Sequence, residues 1–394
     1  MKRILIVVCL AAFTQGRAQE TFLLKKNVLQ ETKQRLARKD AATRHALAQL
    51  TKECDTLLTR GPYSVTYKTK TPPSGNKHDY MSVGPYWWPD PSKPDGLPYI
   101  RKDGQVNPER NHVRDAEFQN ALNHDVYTLA IGWYFTGNDA YARHAARLLR
   151  TWYIDTATRM TPHLNYGQAI PGITEGRGIG LIDTRNVDKL IDGVQLLKGS
   201  KALPEKDYKA LQSWCREFLT WMRTSPVGLD EADEHNNHGT WYDVQAISLA
   251  LFTGQRDSAK LWLEHQTKTR IESQLAADGS QPHELARTLS WNYSTMNLKA
   301  FFELALLAEN VNIDLWRYQT PSGKTIEKAF TWLLPFAEGK QEWKHQQIKH
   351  MDTSGYLELA VMAGRKYPQL DLKALWQKYP DFHEPVLQLV AWKY

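Results

Sequence analysis

Hydrophobic residues recur along most of the chain at three- and four-residue steps, the spacing that lines up one apolar face of an α-helix. DAEFQNALNHDVYTLAIGWYFTG (115–137) puts Phe118, Leu122, Val126, Leu129 and Trp133 on such a stripe, and Gly137 ends it. Asn138, a good helix cap, opens the next run at once, which predicts an antiparallel helical hairpin. The same pattern predicts helices over 184–198, 205–223, 240–253, 255–275, 294–309, 314–336, 354–365 and 370–378. A charged helix or helix pair is predicted over 21–58. FTGN (135–138) and FTGQ (252–255) are near-identical pauses that hint at repeated helix pairs.

No run of alternating β-branched residues is long enough to predict a sheet. Antiparallel helix pairs without a sheet leave a helical bundle or an all-α (α/α) toroid. The helices of a 394-residue chain are too many for one bundle core. The expectation is therefore an incomplete barrel of about six or seven hairpins, with a cleft across its open end. Residues 19–394 are read as this single domain. Gly61 to Asn111 breaks the helical rhythm with Pro, Gly, Lys and the aromatic cluster Tyr86, Trp87, Trp88. So long an irregular stretch is a functional loop or a structural belt, and its aromatics argue against disorder.

The first 18 residues have Lys2 and Arg3, an apolar run from Ile4 to Phe13, then Gly16 and Ala18, the layout of a secretory signal. No later stretch is long and apolar enough to insert in a membrane. The expected location is the periplasm or the exterior, where nucleic acid is not the partner. The net charge of +7, with 14 Trp and 18 Tyr, then points to an acidic glycan, because aromatic faces stack on sugar rings. Removal of the signal leaves Cys54 and Cys215, either a disulfide or two buried thiols.

DEHNNHGTWYD (233–243) is the densest polar cluster. EHNNH lacks the spacing of a zinc helix, so no catalytic metal or other cofactor is expected. A plain capping turn, with Asn237 or Thr240 as cap, is a second reading. The third is a uronate-binding wall. Removing the C5 proton of a uronic acid requires neutralising its carboxylate, a base at C5 and an acid at the departing O4. Asn, His and Arg suit the first task, Tyr or His the second and Tyr the third. DGSQPHELARTLSWNYS (278–294) adds His283, Glu284, Arg287 and Tyr293. Arg287 and Tyr293 would point roughly 120° apart on a straight helix and converge only if it breaks near Ser290 to Asn292. Hydrolysis instead needs two carboxyl groups, for which Asp233, Glu234, Asp243 and Glu284 are available. A non-catalytic glycan-binding protein using the aromatic loop also fits.

NNHGTWYDVQ (236–245), followed by DGSQPHELARTLSWNYS, resembles the alginate lyase superfamily of helical-toroid polysaccharide lyases. YWWPDPSKPDGLPYIRKDGQVNPE (86–109) is similar to a block of polysaccharide lyase family 38. The resemblance implies a lyase acting by β-elimination on alginate or a related polyuronate such as glucuronan, with Asn237, His238, Arg287 and Tyr293 as catalytic residues. It further implies that Asn237 and Arg287 neutralise the carboxylate and Tyr293 protonates the leaving oxygen. His238 would be the base or a further carboxylate ligand. PPSGNKHDYMS (72–82) would act as a lid bringing Lys77, His78 and Tyr80 to the polyanion. Arg185, Asn186, Trp241 and Tyr242 complete the expected substrate-binding set, Tyr242 also being a rival acid.

Overall fold

The computed structural model describes residues 20–391, so the export segment read at 1–18 lies outside the described residues. The chain opens with α1 (Lys26–Ala37) and α2 (Ala41–Leu57), two helices rather than one. Asp40 separates them, its carboxylate accepting from Thr43 N at 2.9 Å as an N-cap. Three short strands follow inside the long loop: β1 (Met81–Val83), β2 (Trp87–Trp88) and β3 (Ile100–Arg101). Then come α3 (Asp115–Thr136), α4 (Asp139–Leu149), β4 (Tyr166–Ala169), α5 (Val187–Leu197), α6 (Glu205–Thr224) and α7 (Pro226–Ala232). The second half holds α8 (Asn237–Phe252), α9 (Arg256–Trp262), α10 (Lys268–Gln274), α11 (Pro282–Leu285) and α12 (Ser290–Ala308). It ends with α13 (Ile326–Glu338), α14 (Ser354–Lys366), α15 (Lys373–Lys378) and α16 (Pro385–Val390).

The fold is an all-α toroid. α3, α5, α8, α12 and α14 pack side by side as an inner layer. α4, α6, α9 and α13 pack against this layer, α4 on α3, α6 and α9 on α8, and α13 on α12. Every residue of α8 but His238 is buried, because an inner helix meets neighbours on all sides and needs no polar stripe. α16 packs on α1 and α2, bringing the last described helix back to the first two. α2, α3, α5, α12, α14 and α16 all line an axial cavity of about 360 Å³. Cores of this kind are close-packed, so truncating a fully buried ring such as Phe301 to alanine costs about 3–5 kcal/mol.

The predicted hairpin of 115–137 with the run opening at Asn138 is present, its second helix ending at Leu149. Gly137 closes α3 at φ +71°, a conformation that favours glycine, and Asn138 Oδ1 accepts from Ala140 N at 3.0 Å to start α4. The predicted helix 314–336 forms only from Ile326. The turn around Pro321 to Gly323 precedes it, and the Thr325 hydroxyl caps the new start by accepting from Lys328 N. α7 and α16 lie outside the predicted helices, each a short helix with proline in its first turn.

Sheet structure was not expected, yet two small sheets pin the long loop. β1 runs parallel to β4, and β2 pairs antiparallel with β3 through Trp87–Arg101 and Trp88–Ile100. Such short strands give too little alternation for a sequence signal. A buried ion pair, Lys68 Nζ to Asp115 Oδ2 at 2.8 Å, fastens the same loop to the first turn of α3. Met81 N donates to the same carboxylate oxygen at 3.1 Å. The segment 61–111 is thus a belt fixed to the toroid. Cys54 and Cys215 are buried free thiols. No described helix is long and apolar enough to cross a membrane.

Candidate active site

The N-terminus of α8 is built by its polar sequence. Asn236 is the N-cap, Oδ1 accepting from His238 N at 2.9 Å, in place of the expected Asn237 or Thr240. Asn237 is fully buried, and both its backbone N and its Nδ2 donate to Glu284, at 2.7 and 2.8 Å. Its buried Oδ1 has no hydrogen-bond partner among the described residues. Gly239 is required next: a Cβ there would lie 2.1 Å from Arg270 Nη1 and from Glu234 O. That space lets Arg270 donate to Glu234 O and Ala232 O while pairing with Asp243 at 3.0 Å, bracing the turn against α8.

His238 Nδ1 lies 2.9 Å from Glu231 Oε1, and Glu231 is wholly buried on α7. Burial, the largest single influence, would lower the imidazole's pKa, but the charge and hydrogen bond of Glu231 together with the charges of Glu234 and Glu284 raise it above the ordinary value. Burial raises the Glu231 carboxyl in turn, opposed by His238. The carboxylate orients Nδ1–H toward itself, which leaves Nε2 as the free nitrogen. No described residue bonds Nε2.

Arg287 and Tyr293 meet because the helix is interrupted before Ser290. α11 ends at Leu285 and α12 begins at Ser290, so the break lies just before the expected one. The Arg287 guanidinium sits 3.8 Å from the Tyr293 ring centroid. Its Nε and Nη2 form a fork to Asp103, at 3.2 and 2.7 Å, leaving Nη1 uncommitted among the described residues. Asp103 also accepts from the Thr288 hydroxyl at 2.9 Å. Burial works against its charge, yet the Arg287 and Thr288 bonds hold its carboxyl well below the usual range. The Tyr293 hydroxyl is 2.7 Å from that of Tyr86. Burial, reinforced by Tyr86, pushes the Tyr293 phenol far up, so it stays protonated through the neutral range.

Asn237, Glu284, His238, Arg287 and Tyr293 form one charge-coupled group: Glu284 feels Arg287 and His238, and Arg287 feels Tyr293 and Glu284. Arg185, Asn186 and Trp241 line a cavity of about 360 Å³ with Lys189, Asn292 and Thr295, at the N-terminal ends of α5 and α12. The other expected contacts fall elsewhere. Tyr80 is fully buried and donates to Asp183 at 2.9 Å, serving the core rather than a lid. Tyr242 is fully buried too, donating to Met222 O at 2.9 Å and packing on Trp262, which turns it to the outer layer. His78 bonds Arg159 O at 2.7 Å in a separate outer cavity, and Lys77 reaches Lys68 O at 3.4 Å.

Three of the four acids weighed for hydrolysis are engaged, and the fourth, Asp233, is exposed on the surface. Asp243 is fully buried against Trp262, Thr267 and Arg270, Glu284 holds Asn237, and Glu234 accepts from Asn236. The sequence reading missed Glu231, Asp103 and Tyr86 as site residues. Only Tyr86 carried a signal, as part of an aromatic cluster. Among the described residues, no group of three or more His, Cys, Asp or Glu is placed to hold a metal ion.

The sequence model of the family described as Alginate lyase matches residues 64–343. Comparison with curated protein sequences returns no match. An alginate lyase structure from Bacteroides ovatus is similar to the chain at 36% identity and TM-score 0.90, covering 94% of this chain and 99% of that one. Alginate lyase A1-III from Sphingomonas species A1 shares the fold at 16% identity and TM-score 0.58, covering 89% and 94%. A histidine-to-alanine variant of A1-III complexed with a tetrasaccharide superposes equally well, TM-score 0.58 at 16% identity, covering 87% and 94%. With a family match over most of its length and a relative this similar across nearly all of both chains, the protein belongs to the alginate lyase family and is a polysaccharide lyase.

Proposed function

We propose that the protein cleaves alginate or a closely related polyuronate by β-elimination, with His238 as base and Tyr293 as acid. The observation that carries this division of labour is the opposite setting of the two groups. His238 is backed by the Glu231 carboxylate and offers Nε2, whereas Tyr293 is a buried phenol held protonated. In the reaction, His238 Nε2 takes the C5 proton and the freed pair forms the C4=C5 bond. The C4–O4 bond breaks, and the Tyr293 hydroxyl protonates O4. Solvent then returns a proton to the phenolate as His238 releases its own.

Carboxylate neutralisation falls to Asn237 and Arg287. Asn237, with a second Nδ2 hydrogen beyond the one given to Glu284, is the proposed amide donor. Arg287 contributes Nη1 and its charge. Each is pre-oriented, by Glu284 and by Asp103, so little reorganisation accompanies the transition state. Asn186 and Arg185 border the neighbouring cavity and are proposed to hold an adjacent uronate. The aromatic, cation-bearing belt suits an acidic polysaccharide met outside the cytoplasm, in keeping with the segment 1–18 as an export signal.

Incubation with polymannuronate, polyguluronate and glucuronan tests the reading. Elimination gives reducing ends together with near-ultraviolet absorbance from the new double bond. Reducing ends without that absorbance would overturn it.

A further inference from the structure

Between α13 and α14, residues 339–353 form a strap with no helix of their own. It crosses the start of the helix that carries Tyr293. Residues 346–348 run antiparallel to 288–290: Ser290 N donates to Gln346 O at 3.1 Å, and Ile348 N to Thr288 O at 2.9 Å. Side chains stitch the same seam. Trp343 Nε1 donates to Ser290 Oγ at 3.0 Å, Gln347 Nε2 to Asn292 Oδ1 at 2.6 Å, and Trp291 Nε1 to Asp352 O at 2.7 Å. Ile348 also reaches the belt, 3.0 Å from where a Cβ on Gly104 would stand, beside the Asp103 that holds Arg287.

This strap carries Lys344, Lys349 and His350, all exposed, and none has an ion pair or hydrogen bond among the described residues. Lys349 and His350 lie between Ile348, which bonds the Arg287–Tyr293 segment, and Asp352, which lines the cavity with Arg185 and Asn186. The nearby acids are few. Asp103 is taken by Arg287 and Thr288, Glu342 is exposed, and Asp352 caps Ser354 N at 2.9 Å. Cations are disfavoured at the N-terminus of α12, where the helix dipole is itself positive. A rigid strap holding unpaired cations there is costly alone and favourable when a polyanion lies across it.

We propose that Lys344, Lys349 and His350 form an accessory subsite that holds uronate units of the same chain beyond those at the reacting bond. This rests on the reading of the cleft as a polyuronate site. The subsite contributes affinity for long chains and touches none of the reacting atoms.

The test is the Lys344→Gln, Lys349→Gln, His350→Gln triple variant of the full chain, measured on long polyuronate and on a trimer at low and high salt. The expected result is a KM on the polymer raised roughly fivefold to tenfold at low salt. The kcat should be unchanged, the trimer unaffected and the difference erased at high salt. Lys344→Arg with Lys349→Arg should keep the wild-type KM. Equal KM values at low salt, or a fall in kcat without a KM change, would overturn the subsite. Retardation in a native gel containing polyuronate reads the strap without turnover. If the wild-type protein made no unsaturated product, the proposed reaction would fail alone. The subsite would stand if retardation were lost in the triple variant and fall if both proteins migrated alike.

Discussion

Glu231 Oε1 and His238 Nδ1 stand 2.9 Å apart, although seven residues and a turn between two helices separate them in the chain. The carboxylate is fully buried, so its interaction with the imidazole is little screened by water. It fixes which nitrogen faces outward and raises the imidazole's pKa.

Glu231→Gln should therefore act through His238. The base must be neutral, so kcat/KM should rise with pH through the raised His238 value. Removing the Glu231 charge lowers that value and moves the rising limb to lower pH. The same change weakens the base and frees its orientation, with kcat falling roughly 10²-fold or more. A pH profile of kcat/KM for both proteins decides. An unshifted limb would take His238 out of the base role.

Tyr293→Phe removes the acid and leaves the ring beneath Arg287 in place. Among the described residues the hydroxyl nearest the phenol is that of Tyr86, which bonds Tyr293 itself. Turnover read by near-ultraviolet absorbance should fall roughly 10³-fold. Binding of polyuronate should change little, because the stacked ring and the Asp103 fork are untouched. Retention of most activity would move the acid to Tyr86.

What was legible in the sequence followed local rules. Asn237 and His238 stood out because a polar cluster precedes an apolar run, and the hairpin at Gly137 and Asn138 because its caps are short-range chemistry. The meeting of Arg287 and Tyr293 depended on a break in the helix, whose place the sequence suggested only approximately. Glu231 and Asp103 were hidden because their partners come from other elements, Asp103 reaching Arg287 across 184 residues. Tyr80 misled for the opposite reason. Its neighbourhood, GNKHDY, is polar and loop-like, yet the strand beginning at Met81 turns the ring inward to Asp183.

Asp103→Asn should loosen Arg287 without removing it. The neutral amide loses the charge-assisted fork, so the guanidinium no longer holds one position over Tyr293. Hydrogen bonds to charged groups contribute about 1.5–3 kcal/mol, and urea unfolding should show a loss of about 2 kcal/mol at neutral pH. The native carboxyl is held below its unfolded value, so its contribution is present above the ordinary carboxylate range and disappears in strong acid. The stability gap between the two proteins should accordingly close as pH falls through that range. In turnover, kcat should drop more than KM rises, because an ill-placed Arg287 weakens the transition state most. A variant as stable and active as wild type would show that the fork does not position Arg287.

Lys68→Met tests the anchor of the belt. Lys68 and Asp115 have fully buried side chains 2.8 Å apart, and burial already lifts the Asp115 carboxyl to about 6 despite its partner. Removing the lysine leaves one buried carboxyl without a cation, a loss of about 3–5 kcal/mol where it must ionise. Without Lys68 the Asp115 value rises further, well above the ~3.9 of an unfolded aspartate. The folded state then holds a proton that the unfolded chain has released, so stability falls as pH rises through that value. The deficit against wild type should thus be smaller at pH 5 than at pH 8, read from urea midpoints. Adding Asp115→Leu should restore much of the stability at pH 8, because it removes the stranded charge. A pH-independent deficit would assign the loss to packing around the lysine stem and its bonds to Val65 O and Lys77 O. Activity should fall with stability in the single variant, since the belt fastened at Asp115 also carries Tyr86 and Asp103 to the site.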